Sequence, residues 1–485
     1  MKKSFLFNVL FLIFVNLLIK PFWVLGIDRT VQNKLGEQAY GMYFAIFNFT
    51  YLFQILLDFG LQNYNNREVA TDTKKINELL PSLLLFKTIL LIAYLILCIA
   101  FAYPLGYITY PYLFIILANQ ILLSFNIFLR TNISAHQQFI KDALLSVLDK
   151  LLMIIFCAIL IWGNLPFFDL TITHFVLAQF FAYLITFLVC IIFSFQLADK
   201  LVFRISFSKF IQIAKMTLPY ALIHFLMTTY FRIDGVMLEQ LSPDSGAYES
   251  GIYAQSYRLI ESLNNIGYLI AGILLPVFAY QISRHVSVKP MLKSGFNLMY
   301  CIAVSILIGL FSHKKEIIAL MYPNTDSTYS AKVFGLLLFN FFPIALLYVI
   351  GTLLTANKNF KQMIIVLSVA VLINVGLNFI LIVKSGAEGA AIATLITQVF
   401  MLIAYSVLIM RIFNISFNIN YVLRLLSFSV LCLLLVLLTK QLQLQNSKLQ
   451  LLFQLCGFFI CIPILGWISG LLNKEMLHLT FSRMD

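Results

Sequence analysis

Two charged, otherwise apolar arms decide the fold: Pro219-Tyr220-Ala221-Leu222-Ile223-His224, then Tyr230-Phe231-Arg232-Ile233-Asp234-Gly235-Val236-Met237-Leu238-Glu239, returning as Ser250-Gly251-Ile252-Tyr253-Ala254 and Tyr257-Arg258-Leu259-Ile260-Glu261. They form a hairpin from Thr217 to Tyr280 whose polar tip centres near Ser245. Arg232 and Arg258 stand thirteen residues to either side of that tip. At a rise of about 1.5 Å per residue, both lie roughly 12 Å below the helix ends near the tip. In a hydrocarbon layer about 30 Å thick, that is close to the middle. Ionisable groups at such depth mark a functional site by default.

The rest of the chain has the same character. A mean hydropathy of +0.94, 61% apolar residues and 11% charged residues place it among membrane proteins. Apolar runs of about 20 to 29 residues predict helices rather than a barrel. The expected fold is an all-α polytopic membrane protein with fourteen transmembrane helices: 4–27, 39–62, 79–103, 106–129, 143–163, 170–197, 216–238, 251–279, 292–312, 331–355, 361–383, 387–410, 420–439 and 449–472. No loop exceeds about 20 residues, which leaves no room for a soluble catalytic domain. A membrane glycosyltransferase or polymerase would need a large outer loop for acceptor and carboxylates, so the chain reads as a non-enzyme.

In a soluble protein the net charge of +13 would suggest nucleic acid. Here its distribution argues for topology. Twenty cations fall in segments that are cytoplasmic if the N-terminus is inside. Seven fall opposite: Arg29, Lys34, Lys314, Lys315, Lys384, Lys440 and Lys448. That bias is a positive-inside signal and puts both termini in the cytoplasm. The remaining six, Lys20, Lys87, Lys150, Arg232, Arg258 and Lys332, sit in spans. Met1-Lys2-Lys3 before an apolar run imitates a signal peptide, but the run passes Lys20-Pro21 without a small-x-small site and reads as an uncleaved span. All seven cysteines fall in spans without metal-ligand spacing. No Gly-rich run leads to Lys-Ser or Lys-Thr, so neither metal nor nucleotide cofactor is expected.

A short repeat organises the spans. Gly41-Met42-Tyr43 opens span 2 as Gly251-Ile252-Tyr253 opens span 8, an offset of 210. The same shift carries Lys20 onto Tyr230, about half a turn from Arg232. Spans 1–6 (residues 1–197) and 7–12 (216–410) then become two parallel six-helix bundles around a cavity, a transporter plan. Residues 198–215 join them, with Phe203, Ile205, Phe207, Phe210 and Ile213 among Lys200, Arg204, Lys209 and Lys215. That linker reads either as an amphipathic helix on the cytoplasmic leaflet or as a solvated connector. Residues 411–485 carry an appended pair of helices. After span 1 an outer loop is expected from Val31 to Gln38. The small residues from Gly386 to Thr394 suit close helix packing.

Taken together, Leu35-Gly36 to Tyr40-Gly41, Arg232-Ile233-Asp234 to Met237-Leu238, Gly251-Ile252-Tyr253 to Tyr257-Arg258 and Glu261, Leu275-Pro276 and Gly386 to Thr394 resemble the polysaccharide-transporter family. These are the Wzx-type O-antigen flippases of the multidrug/oligosaccharidyl-lipid/polysaccharide (MOP) exporter superfamily. The resemblance runs from span 1 to span 12, and its specificity lies in order and spacing. It implies a MATE-like fold, alternating access and export of an undecaprenyl-pyrophosphate-linked oligosaccharide for O-antigen, capsule or exopolysaccharide. It also implies the bacterial inner membrane, with a polysaccharide polymerase and chain-length regulator as partners.

Within that frame Lys20, Arg232 and Arg258 are candidate pyrophosphate ligands, since cations, and guanidinium above all, match phosphate oxygens. The alternative is that each is neutralised locally. Asp234 points away from Arg232 and reads as a structural tie to a neighbouring helix, by a bridge to Arg258, or else as a coupling charge. Glu261 shares a face with Arg258 and reads as its ion-pair partner. His224 is either a structural hydrogen-bonding group or a proton-coupling one. Asp58 and Lys87 form an inner gate, or else each snorkels. Asp149-Lys150, near the expected start of span 5, has no assigned role. Two rivals share the fold: a drug/cation antiporter, which the positive lean of the deep charges disfavours, and a cell-wall precursor flippase.

Overall fold

The computed structural model describes residues 16, 18–163, 169–198, 200, 207–242, 244–415, 418–442 and 445–472. Its secondary structure there is helical, without strands. Numbered along the chain, the helices are α1 (Arg29–Leu52), α2 (Leu61–Thr71), α3 (Ile76–Ala102), α4 (Tyr112–Ala135), α5 (Phe139–Trp162), α6 (Ile172–Gln196) and α7 (Phe207–Leu241). There follow α8 (Gly246–Ser283), α9 (Lys289–Ser312), α10 (Lys314–Met321), α11 (Ser327–Ala356), α12 (Phe360–Phe413), α13 (Ile419–Lys440) and α14 (Ser447–Ile468). Eleven helices among the described residues are long and apolar enough to cross a bilayer. Two of these, residues 18–71 and 360–413, are 54 residues long and each is broken by glycine. Gly386 (φ 51°, ψ −128°) divides α12 where spans 11 and 12 were expected to part.

The first break overturns an expectation. Span 1 does not end near residue 27 in an outer loop from Val31 to Gln38. A π-helix, Trp23–Asp28, runs straight into α1, and the helix turns only at Gly36 (φ 78°, ψ 170°). The polar stretch after Asp28 stays helical because its side chains find partners. Lys34 donates to the Ile161 carbonyl at 2.7 Å, and Gln32 donates to Asp28 at 3.2 Å.

Contact density divides the chain into two compact units, Met1–Ala254 and Gln255–Asp485. In the first, α4 packs on α6 and α2, α5 on α6, and α1 on α7. Leu61, Val69, Leu80, Leu83, Phe128, Leu129 and Ile133 form an apolar core there. The seam between α1 and the start of α8 is backbone on backbone. A Cβ added at Gly41 would overlap the Ala247 carbonyl oxygen, and one added at Gly251 would overlap that of Glu37. Each glycine therefore meets the carbonyl four residues before the other. In the second unit α11 is the buried centre, packed on α9, α10 and α12, while α13 and α14 lie against α9. Asp326, Asn418 and Asn446 cap α11, α13 and α14 by accepting from backbone N–H groups. Residues 199 and 201–206 of the expected linker lie outside the described set; 207–215 are the first turns of α7, continuous with span 7.

Candidate functional site

The break at Gly36 resets the depth of the first candidate. Lys20 lies sixteen residues before it, about 24 Å of helix rise. Arg232, nine residues from the end of α7, lies about 14 Å down. They are not at one level: Lys20 lies about 10 Å further from its break than Arg232 lies from the end of α7. It is half-buried and makes no hydrogen bond or ion pair among the described residues. Its electrostatic neighbours are Lys150, Asp149 and Arg130. One turn earlier, Asn16 donates to Ser146 at 3.1 Å, which sets this face of the first helix against α5.

Lys150 is a site residue whose weight the sequence reading missed. It was placed near the start of span 5, but α5 begins at Phe139, so Lys150 stands at mid-helix. Its ammonium lies 3.4 Å from Asp149 and 3.2 Å from the Tyr183 hydroxyl, over the rings of Tyr183 (5.1 Å) and Trp23 (5.9 Å). Arg130 donates to Asp142 at 2.8 Å, tying α4 to the first turn of α5. Three cations, Lys20, Lys150 and Arg130, thus face two carboxylates, and the surplus charge falls on Lys20.

Arg232 donates to Asn48 at 3.4 Å and lies over the Tyr51 ring at 4.7 Å, which seats its guanidinium against α1. Tyr51 is within electrostatic reach of Tyr183, so phenols link the surroundings of Arg232 to those of Lys150. Asp234 is buried and accepts the Tyr253 hydroxyl at 2.7 Å, joining α7 to the start of α8. A second buried carboxylate, Asp28, was read as part of a helix end. It accepts the Tyr40 hydroxyl at 2.8 and 2.9 Å. Its signal was Asp-x₁₁-Tyr across a polar stretch that hydropathy assigns to a loop.

The remaining candidates separate. In the second unit Arg258 pairs with Glu261 at 2.9 Å. His224 is exposed and contacts Thr228 Oγ1 at 3.3 Å. Asp58 and Lys87 are near each other but form no ion pair. Asp58 accepts the Gly60 and Gln62 N–H groups ahead of α2. Lys87 is fully buried, so it does not snorkel; it donates to the Leu57 carbonyl at 2.6 Å and Ser124 at 2.7 Å, between Phe125 and Phe128. Among the described residues no group of His, Cys, Asp and Glu could hold a metal ion.

Such a bundle, with unbalanced cations inside its spans, defines a multi-pass membrane protein with the fold of the MOP transporters. The chain belongs to the polysaccharide biosynthesis protein family, whose model matches residues 5–282. Among solved structures it is similar to the lipid II flippase MurJ in an inward closed conformation, at 16% identity and a TM-score of 0.67, over 94% of this chain and 99% of that one. It is also similar to a multidrug resistance MATE family transporter of the MOP superfamily. The inward-facing conformation gives 14% identity, 82% and 96% coverage and a TM-score of 0.65. The outward-facing one gives 17%, 84% and 94%, and 0.56. No curated protein matches the chain.

Proposed function

We propose that this protein is a flippase that carries an undecaprenyl-pyrophosphate-linked oligosaccharide across the bacterial cytoplasmic membrane by alternating access, for O-antigen, capsule or exopolysaccharide synthesis. Both termini face the cytoplasm, and a cation gradient or the membrane potential drives the cycle. The family and the MOP fold support transport in polysaccharide synthesis. The observation that carries the cargo assignment is Lys20. An ammonium in a membrane span, without a hydrogen bond or ion pair among the described residues and with two cations, Lys150 and Arg130, against one carboxylate, Asp149, nearby, favours an anionic guest. The pyrophosphate meets Lys20 on the cytoplasmic side, and Arg232 receives it nearer the outer face. Arg258 contributes a weaker share because Glu261 already neutralises it. The same positive surplus disfavours a cationic drug as cargo. A polysaccharide polymerase and chain-length regulator act on the delivered unit.

Proteoliposomes with a fluorescent undecaprenyl-pyrophosphate oligosaccharide test the reading. The wild-type protein should expose the inner-leaflet substrate to an external quencher. Lys20→Ala should slow this about ten- to hundredfold, as loss of a charge-assisted hydrogen bond of about 1.5–3 kcal/mol implies. Equal rates with empty liposomes, or transport of cationic dyes alone, would overturn the assignment.

A further inference from the structure

At the end of α9 a buried histidine is wedged between two hydrogen-bond acceptors. His313 caps that helix at 1% exposure. Its Nδ1 stands 2.9 Å from the Gly309 carbonyl oxygen, and its Nε2 stands 3.2 Å from Gln454 Oε1 on α14. A carbonyl only accepts. The Gln454 amide is held in one sense, because its Nε2 donates to the Leu442 carbonyl at 2.9 Å and the Lys440 carbonyl at 3.4 Å. Turning it over would set its oxygen against both of those oxygens. A neutral imidazole has one N–H and one lone pair, so one of its two contacts must bring lone pair against oxygen. Only the imidazolium donates to both.

We propose that His313 is a proton-binding site that fastens one end of the appended pair, α13 and α14, to α9. With the proton bound the junction is closed, and with the proton lost it opens. The last carbonyls of α9 favour the cation, as the C-terminal end of a helix does. The charged residues that follow it in the chain are Lys314, Lys315 and Glu316 on α10, and Lys440 on α13 reaches the same helix end. Lys314 lies over the Phe311 ring at 4.1 Å, and Lys440 donates to the Ser312 carbonyl. On α11, Lys332 is turned to Glu388 at 3.5 Å. Among the described residues His313 has no carboxylate partner, so the two oxygen acceptors and the helix end hold its charge. At the other end of α9 the pair is held by groups that no proton change near neutrality disturbs. Asn297 donates to the Leu471 carbonyl at 3.0 Å and accepts from Tyr421 at 2.6 Å. Loss of the proton therefore frees one end of the pair about a fixed end. Phe458, packed on Gly309, lies at the same junction and would move with it.

Spin labels at Lys315→Cys and Lys448→Cys in the full chain in nanodiscs read this end directly. Of the native cysteines only Cys456 and Cys461, the two that are not buried, need replacing. Pulsed electron paramagnetic resonance from pH 5 to pH 9 should give a single narrow distance at low pH and a broader, longer one at high pH, with a one-proton midpoint. Gln454→Glu should raise that midpoint by about one unit or more, since a carboxylate favours the charged ring. His313→Gln should remove the response. A wild-type distance independent of pH, or a response retained in His313→Gln, would overturn the proposal. Should His313→Gln fail to fold, an unmoved midpoint in Gln454→Glu, which keeps the histidine, would do the same.

Discussion

The helix turns around Gly41 and around Gly251 share a signature and a neighbour but not a charge pattern. Each glycine packs on the backbone four residues before the other, and each lies near a buried carboxylate held by a tyrosine: Asp28 with Tyr40, and Asp234 with Tyr253. The cations around them differ. Arg232 is seated on Asn48 and the Tyr51 ring, whereas Lys20 lies about 10 Å deeper and has no partner among the described residues. The seam, where the facing backbone leaves room only for glycine, is thus alike on both sides. The cations beside it are not alike.

The strongest way to break this comparison is at the seam. The obstacle to a larger residue there is a carbonyl oxygen of the facing helix, which cannot turn aside as a side chain does. Gly41→Val and Gly251→Val should each destabilise the protein by about 3 kcal/mol, the upper end for overpacking, and abolish export. Thermal unfolding in detergent and glycan export are the measurements. A harmless Gly251→Val beside a destructive Gly41→Val would show that the seam is not reciprocal.

A smaller effect is expected at the carboxylates. Tyr40→Phe and Tyr253→Phe each remove one hydroxyl donor from a buried acid while keeping the ring. Each should lower stability by about 2 kcal/mol, the value of a hydrogen bond to a charged group. Matching losses would support equivalent roles. If Tyr40→Phe left stability intact and stopped export alone, Asp28 would belong to the transport cycle and Asp234 to the frame.

The frame was legible because a bilayer demands long apolar runs, and these survive in one dimension. The break at Gly386 was legible too, as the small residues around it marked a close turn. Depth was not legible. Hydropathy ended span 1 at Asp28-Arg29, yet Lys34 and Gln32 find partners on Ile161 and Asp28, and the helix runs on to Gly36. Likewise Asp142 made the start of α5 look like a loop, but it is the partner of Arg130, and the helix already includes it. Both errors have one cause. A polar residue that is satisfied by a distant neighbour looks, in the sequence alone, like a residue that needs water. They are also why Lys20 and Lys150 were each placed too close to the end of a span.

The finest comparison sets Arg258 against Lys20. Arg258 and Glu261 are three residues apart on one helix and partly exposed, with side chains 13% and 29% accessible. If water reaches that pair, its coupling in a double-mutant cycle of Arg258→Gln and Glu261→Gln should stay below about 1 kcal/mol and weaken with salt. Export should then fall only modestly in Arg258→Gln, and Glu261→Gln, which leaves the guanidinium without that carboxylate, should retain it. Lys20→Ala, which removes a cation that has no ion pair among the described residues, should remain the more severe loss. A salt-independent coupling of about 3–5 kcal/mol would place the pair in a dry interior, where removing one partner strands the other. Arg258 would then be a fastening within its own helix, and the anion would be left to Lys20, Lys150 and Arg232.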